Sequence, residues 1–220
     1  LSLRETLAFL QAETPAARLI YPSSAAVYGE ASGTTLPETA RLEPVSPYGR
    51  HKRQAEAEIA VAGVDAVILR FFSLYGPGLR KQLLWDLARR LAARPAALEL
   101  AGTGEERRDF LHVDDAVRLV GLAAGLERTP APLILNGSGG EAISVRQAAE
   151  ALARALDVHA AIGFSGEARA GDPKALVADI AKARALGFDP TTSFDDGVRC
   201  FARWFSALPA GTLGLAAPAP

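Results

Sequence analysis

The chain has 220 residues, 49% of them apolar and 22% charged, enough to bury a real core in one domain or two small ones and too apolar for a disordered or collagen-like chain. The 24 Lys and Arg against 25 Asp and Glu leave a net charge of −1, with no basic excess to neutralise a row of phosphates, which argues against a dedicated binder of nucleic acid or anionic membrane. A single cysteine, Cys200, excludes an internal disulfide and a cysteine-based metal cluster, and no apolar run approaches the roughly 18 residues of a membrane span, so a cytoplasmic protein acting on a small molecule is expected.

Leu3, Leu7 and Leu10 recur with helical spacing and predict a first helix closed by Pro15. Leu19-Ile20-Tyr21 reads as a buried strand ending at Ser23-Ser24, and residues 29–47 have loop composition. Ser46 is a natural N-cap and Pro47 a natural first helical residue, predicting a helix over Pro47–Ala62. The next strand is expected at Val67–Phe72, a helix at Leu83–Ala93, a short strand at Leu98–Leu100 and a helix at Val113–Leu126. A strand at Leu133–Leu135, a helix capped by Ser144, a strand at Val158–Ile162 and two short helices, Ile180–Leu186 and Phe194–Phe205, complete the pattern. Strands alternating with helices predict an α/β protein built of parallel βαβ units. The Ala, Gly, Leu and Pro tail over 209–220 is expected to lack structure.

One constellation carries chemistry. Tyr48 and Lys52 are four apart on one helix, roughly 5 to 6 Å apart at Cβ, and their face continues through Ala55 and Ile59, so the pair is expected to be buried and to point at the sheet. A lysine ammonium beside a phenol in a site closed to water stabilises the phenolate, which can then accept a proton from a substrate hydroxyl. Ser24, at a strand's carboxyl end, is placed to hydrogen-bond the same hydroxyl at the edge where open α/β sheets bind ligands. Taken alone, Tyr-x-x-x-Lys is a weak signal, and an exposed helical pair is the commoner explanation.

The segments Ser23-Ser24-Ala25-Ala26-Val27-Tyr28-Gly29 and Pro47-Tyr48-Gly49-Arg50-His51-Lys52 closely resemble the serine and Tyr-x-x-x-Lys motifs of extended short-chain dehydrogenase/reductases, in the nucleotide-sugar epimerase/dehydratase branch typified by UDP-glucose 4-epimerase. Residues 69–78, the turn 102–104 with 108–115, read as a phosphate-side turn, and Arg169-Ala170-Gly171-Asp172 extend the resemblance in family order. It implies a partial Rossmann-like parallel sheet with a smaller C-terminal α/β substrate-binding region. The boundaries would be 1–75 for the dinucleotide-domain part and 76–208 for the remaining sheet and substrate domain. It implies further that Tyr48 is the base, that Lys52 holds the nicotinamide ribose of NAD (NADP left open), and that Ser24 orients the sugar. Phe72 would lie near the nicotinamide, and Arg108 and Arg169 would grip the diphosphate of a nucleotide sugar. Ser73 stands where many relatives carry an asparagine. A homodimer through the helices at 1–13 and 47–62 is implied as well. No catalytic role is assigned to His51, His112 or His159, and no metal site is expected.

The family's opening strand, glycine-rich turn and helix have no counterpart before Ser24, and the chain contains no methionine, so a truncated start is expected. Gly137-Ser138-Gly139-Gly140-Glu141-Ala142 imitates the fingerprint, but Ile143 and the Ser144 cap intervene before the helix. Without neighbours, the strand at 19–21 should form a sheet edge, and weak cofactor affinity and a tendency to associate follow. Reductases and decarboxylases share these motifs; the rival of another class is a non-catalytic remnant or interaction subunit of the same fold.

Overall fold

The computed structural model describes residues 2–14, 16–30, 35–167 and 174–209. Within them the chain runs α1 (Leu3–Glu13), β1 (Leu19–Ser24), a 3-10 turn (Ala25–Val27), α2 (Pro47–Val61), β2 (Ala66–Phe71), β3 (Ser73–Tyr75), α3 (Gln82–Ala92), β4 (Ala97–Leu100), β5 (Arg107–His112), α4 (Val113–Gly125), β6 (Leu133–Gly137), β7 (Ala142–Ser144), α5 (Val145–Ala155), β8 (Ala161–Phe164), β9 (Ala175–Leu176), α6 (Ala181–Ala185) and α7 (Phe194–Ser206). Arg169 and the tail from 210 onward lie outside the described residues.

A parallel sheet in the order β1-β2-β6 carries the first motif. Successive residues of β2 face opposite ways, and both faces are covered. Ala66 and Ile68 pack with Leu7 of α1 and Ile59 of α2 on one side; Val67 and Leu69 pack with Leu119 of α4 and Phe188 on the other. β1 is an edge strand among the described residues, in agreement with the reading of the sequence, and β6 is the other. Pro22, which has no amide hydrogen to give a ladder, sits within it, a position proline tolerates only at an edge or a bulge.

A second sheet joins β3, β5 and β7, with β9 paired to β5. A third pairs β4 with β8, over a core in which Leu87 and Leu91 of α3, Leu152 of α5, and Phe201 and Phe205 of α7 meet. The second sheet was not foreseen as strands: residues 107–112, left without an element between the expected turn at 101–104 and the expected helix from Val113, form a strand that runs directly into that helix. β5 reads Arg-Arg-Asp-Phe-Leu-His and shows no apolar alternation. Its buried Asp109 is satisfied by the amides of Gly140 (2.9 Å) and Ala178 (3.1 Å) instead. The last predicted strand lies at Ala161–Phe164 rather than 158–162. The glycine-rich stretch after β6 leads into strand β7, not a helix, so it has no helix terminus with which to cradle a pyrophosphate.

Candidate active site

β1 ends where the Ser24 hydroxyl accepts the Ala26 amide at 3.2 Å and opens the 3-10 turn. The oxygen is thereby engaged as an acceptor, while its O–H is left to donate. After the loop, Ser46 accepts the Gly49 amide at 3.0 Å with Pro47 in the first turn, and α2 starts where the sequence places it. Gly49 is required by contact rather than by φ. A Cβ there would stand 2.4 Å from the Ala26 carbonyl oxygen, so only glycine lets the first turn of α2 rest on the turn that follows Ser24.

That seating brings the predicted residues together. The Lys52 ammonium donates to the Pro22 carbonyl at 2.7 Å, tying α2 to β1 two residues before Ser24. It also lies 4.7 Å from the Tyr21 ring centre and 5.8 Å from that of Tyr48. Burial pushes the Lys52 ammonium below its ordinary value, and the Glu56 carboxylate opposes the push.

Burial of the pair corrects the expectation from the sequence. Lys52 is half-buried against β1, but Tyr48 is 56% exposed. The reason is local: Tyr48 belongs to the first turn of α2, which overlies the 3-10 turn beyond the strand's end, whereas Ala55 and Ile59 lie on the buried face that packs toward the sheet. Exposure nevertheless separates this phenol from two of the other three. Tyr28 and Tyr75 are buried, and burial pushes both phenols up, which keeps them protonated.

Phe72 is buried in the cluster beneath the 25–28 turn, its ring 6.0 Å from that of Tyr28, so it is a wall of this region with little surface left to offer. Ser24 is opposite Phe71 in the β1–β2 register, and two residues further on Ser73 opens a cavity of about 470 Å³. Arg108 of β5 lines the same cavity, with Trp85, Leu100, Glu106 and Phe110. The carboxylate of Glu106 is bound by the amides of Thr103 (2.8 Å) and Gly104 (2.9 Å), which fixes the glycine turn at the cavity wall. His112 caps α4 through its Nδ1, and His51 and His159 are exposed.

Sequence reasoning missed the support under the pair. Glu56, one turn beyond Lys52 on α2, is 5% exposed and accepts from Arg70 of β2 (Nη2 to Oε2, 2.7 Å; Nε to Oε1, 3.1 Å) and from the Ser23 hydroxyl at 2.5 Å. Arg70 also reaches the Tyr28 hydroxyl (3.0 Å) and the Glu38 carbonyl (2.9 Å). Tyr28 donates in turn to Asn136 of β6 at 2.7 Å. The available signal was the same spacing that paired Tyr48 with Lys52, extended by four residues to a carboxylate on a face otherwise apolar.

A parallel sheet flanked by helices, with a serine at the end of a strand to which the lysine of a Tyr-x-x-x-Lys helix is tied, defines a Rossmann-type α/β protein of the short-chain dehydrogenase/reductase kind. The sequence profile of the NAD dependent epimerase/dehydratase family matches residues 3–136, and the chain belongs to that family. It is 32% identical over 194 residues to an uncharacterized UDP-glucose epimerase, YtcB, of Bacillus subtilis, covering 86% of this chain and 60% of that protein. A UDP-glucuronate 4-epimerase of Thermodesulfobacterium geofontis is 28% identical, with 85% and 58% covered. Among solved structures, a UDP-glucuronic acid 4-epimerase from Bacillus cereus in complex with UDP-glucuronic acid and NAD superposes with a TM-score of 0.82 at 27% identity, covering 93% of this chain and 66% of that one. The chain therefore spans about 60% of the length of these curated relatives.

Proposed function

We propose that the chain carries the proton-transfer and sugar-nucleotide-binding machinery of an NAD-dependent nucleotide-sugar epimerase or dehydratase. The observation that carries this reading is the seating of Lys52 between the Pro22 carbonyl and the Tyr21 and Tyr48 rings, at the end of the strand that bears Ser24. The similar proteins named above supply the uridine diphosphate sugar as the substrate class.

The residues present fit one end of a dinucleotide. Lys52 offers N–H donors and Tyr48 an open phenol at the sheet's carboxyl edge, the pair that would hold a nicotinamide ribose. The glycine-rich stretch 137–140 does not supply the other end, because it leads into a strand. When bound, NAD supplies the hydride acceptor. Tyr48 accepts the proton from the sugar hydroxyl whose carbon is oxidised, with the Lys52 ammonium beside its ring. The Ser24 O–H, free to donate, orients that hydroxyl. The diphosphate lies in the cavity against Arg108 and Ser73; Arg169, outside the described residues, enters only as the second guanidinium that the family resemblance implies. Phe72 serves as a wall, and its proximity to the nicotinamide belongs to this proposal.

Calorimetric titration of UDP-glucose and UDP-glucuronate into the chain tests the substrate half. Saturable binding that Arg108→Ala weakens by about tenfold or more, as expected for a lost charge-assisted contact, supports it. Binding unchanged in that variant contradicts it.

The helices α1 and α2 pack together, with Gln11 donating to the Ala62 carbonyl, and each leaves a large apolar side chain in solvent, Phe9 at 53% and Val61 at 85% exposure. We read them as a homodimer surface, checked by light scattering: a dimer that Val61→Asp dissociates supports it, and a monomer at high concentration refutes it. Among the described residues, no helix is long and apolar enough to cross a membrane.

A further inference from the structure

A fully buried carboxylate and guanidinium are costly to desolvate, and a well-packed apolar pair often stabilises as much or more; the best-attested use of such a pair is to fix one arrangement among several. α2 needs such a device. Of its 15 residues only Gly49, Ala55, Glu56 and Ile59 are buried, and Ile59 is the one large apolar side chain among them, so apolar packing and the Gly49 seat alone give the helix few points that fix its rotation. Two polar ties resist that turn: Lys52 to the Pro22 carbonyl, and Glu56 to both Ser23 of β1 and Arg70 of β2.

We propose that Glu56 is a positioning residue. Held by Arg70 and Ser23, it fixes the rotation of α2 against β1, so that Lys52 and Tyr48 stand beside the strand end that carries Ser24. The chain of contacts explains why the clamp is rigid. Arg70 cannot follow a moving Glu56 without leaving Tyr28 and the Glu38 carbonyl, and Tyr28 is held by Asn136, whose side-chain amide donates to the carbonyls of Leu36 (2.7 Å) and Asp179 (3.0 Å). Ser23 adjoins Ser24, so the same carboxylate grips the strand one residue from the hydroxyl that faces the substrate. The charged and titratable neighbours of Lys52 are Glu56 and Tyr48 on its own helix and Tyr21 on β1. This assignment rests on the reading of Lys52 and Tyr48 as the reacting pair, but its test does not need turnover.

The chain contains four lysines, Lys52, Lys81, Lys174 and Lys182, so after reductive 13C-dimethylation the NMR spectrum of the full chain is simple, and Lys52→Arg identifies its signal. Two flanking aromatic rings should displace the Lys52 methyl signal from the other three. In Glu56→Gln, and in the double variant Glu56→Met with Arg70→Met, which keeps the volume buried without charge, the Lys52 signal should move toward the others while circular dichroism of the double variant stays that of the wild type. Ser23→Ala should give a smaller shift in the same direction. A folded double variant with an unmoved Lys52 signal overturns the proposal. If neither Glu56 variant folds, Ser23→Ala decides, and an unmoved signal there overturns it equally. A wild-type chain that shows the displaced signal but neither binds a UDP sugar nor reduces NAD sinks the proposed function and leaves the positioning role standing.

Discussion

The first turn of α2 and the turn around Glu56 are built on opposite terms. Around Glu56 the helix is sealed: the carboxylate is 5% exposed, Arg70 is 2% exposed, and both are held by several partners from β1, β2 and the loop at 38. Two turns earlier Tyr48 is 56% exposed, and the helix touches the rest of the molecule through Gly49 on the Ala26 carbonyl. The difference teaches that rigidity and access are divided along one element. The sealed end fixes where the open end stands, and the open end keeps a phenol within reach of a small molecule.

The largest effect should come from breaking the sealed end on one side only. Arg70→Met leaves Glu56 buried without its cation and should cost about 3–5 kcal/mol in chemical denaturation, whereas the double Met variant should recover most of that. Comparable losses in both would show that the ion pair itself, not the stranded charge, holds the helix. Gly49→Ala comes next. Its Cβ would meet the Ala26 carbonyl, and the overpacking should cost roughly 1–3 kcal/mol while lifting the first turn of α2 away from Ser24. A melt unchanged in this variant would remove the close approach from the account.

Far from α2, Asp115 gives a comparison from the other face of the sheet. Burial alone pushes its carboxyl up, yet the amides of Thr192 (3.0 Å) and Thr191 (3.2 Å) and the Thr191 hydroxyl (3.0 Å) hold it below its ordinary 3.8. The unfolded chain then binds more protons near that value, so the stability Asp115 contributes is complete above pH 3.8 and lost as pH falls through the lowered folded value. Asp115→Asn should destabilise by about 1–3 kcal/mol at neutral pH, and the gap to the wild type should close in acid. A gap that stays constant with pH would place the effect elsewhere. The smallest stability change belongs to the open end, where Tyr48→Phe should stay within about 0.5 kcal/mol of the wild type.

The sequence showed what periodicity and caps can show. Leu3, Leu7 and Leu10, the Ser46-Pro47 start and the Ser144 cap all mark helices that the structure contains. Short strands without alternation stayed hidden, because β3, β7 and β9 have three residues or fewer and β5 opens with Arg-Arg-Asp. Of the site, Ser24, Tyr48 and Lys52 were readable as a motif, and Ser73 and Arg108 prove to share one cavity. Glu56 shared the spacing of Tyr48 and Lys52, but that signal is weak because a charged residue on a helix face is ordinarily solvated, and its partner Arg70 carried no signal; only the tertiary contact turns the two into a clamp. Tyr48 was misjudged as buried because helical spacing fixes the face but not where the strand beneath it ends.

The most direct test of the central claim is the absorbance of reduced nicotinamide after mixing the wild-type chain and Tyr48→Phe with saturating NAD and UDP-glucuronate or UDP-glucose. The account predicts that reduced cofactor forms with the wild type, slowly because the chain holds only one end of the dinucleotide, and fails to form with an equally folded Tyr48→Phe. Equal formation in the two proteins would contradict it.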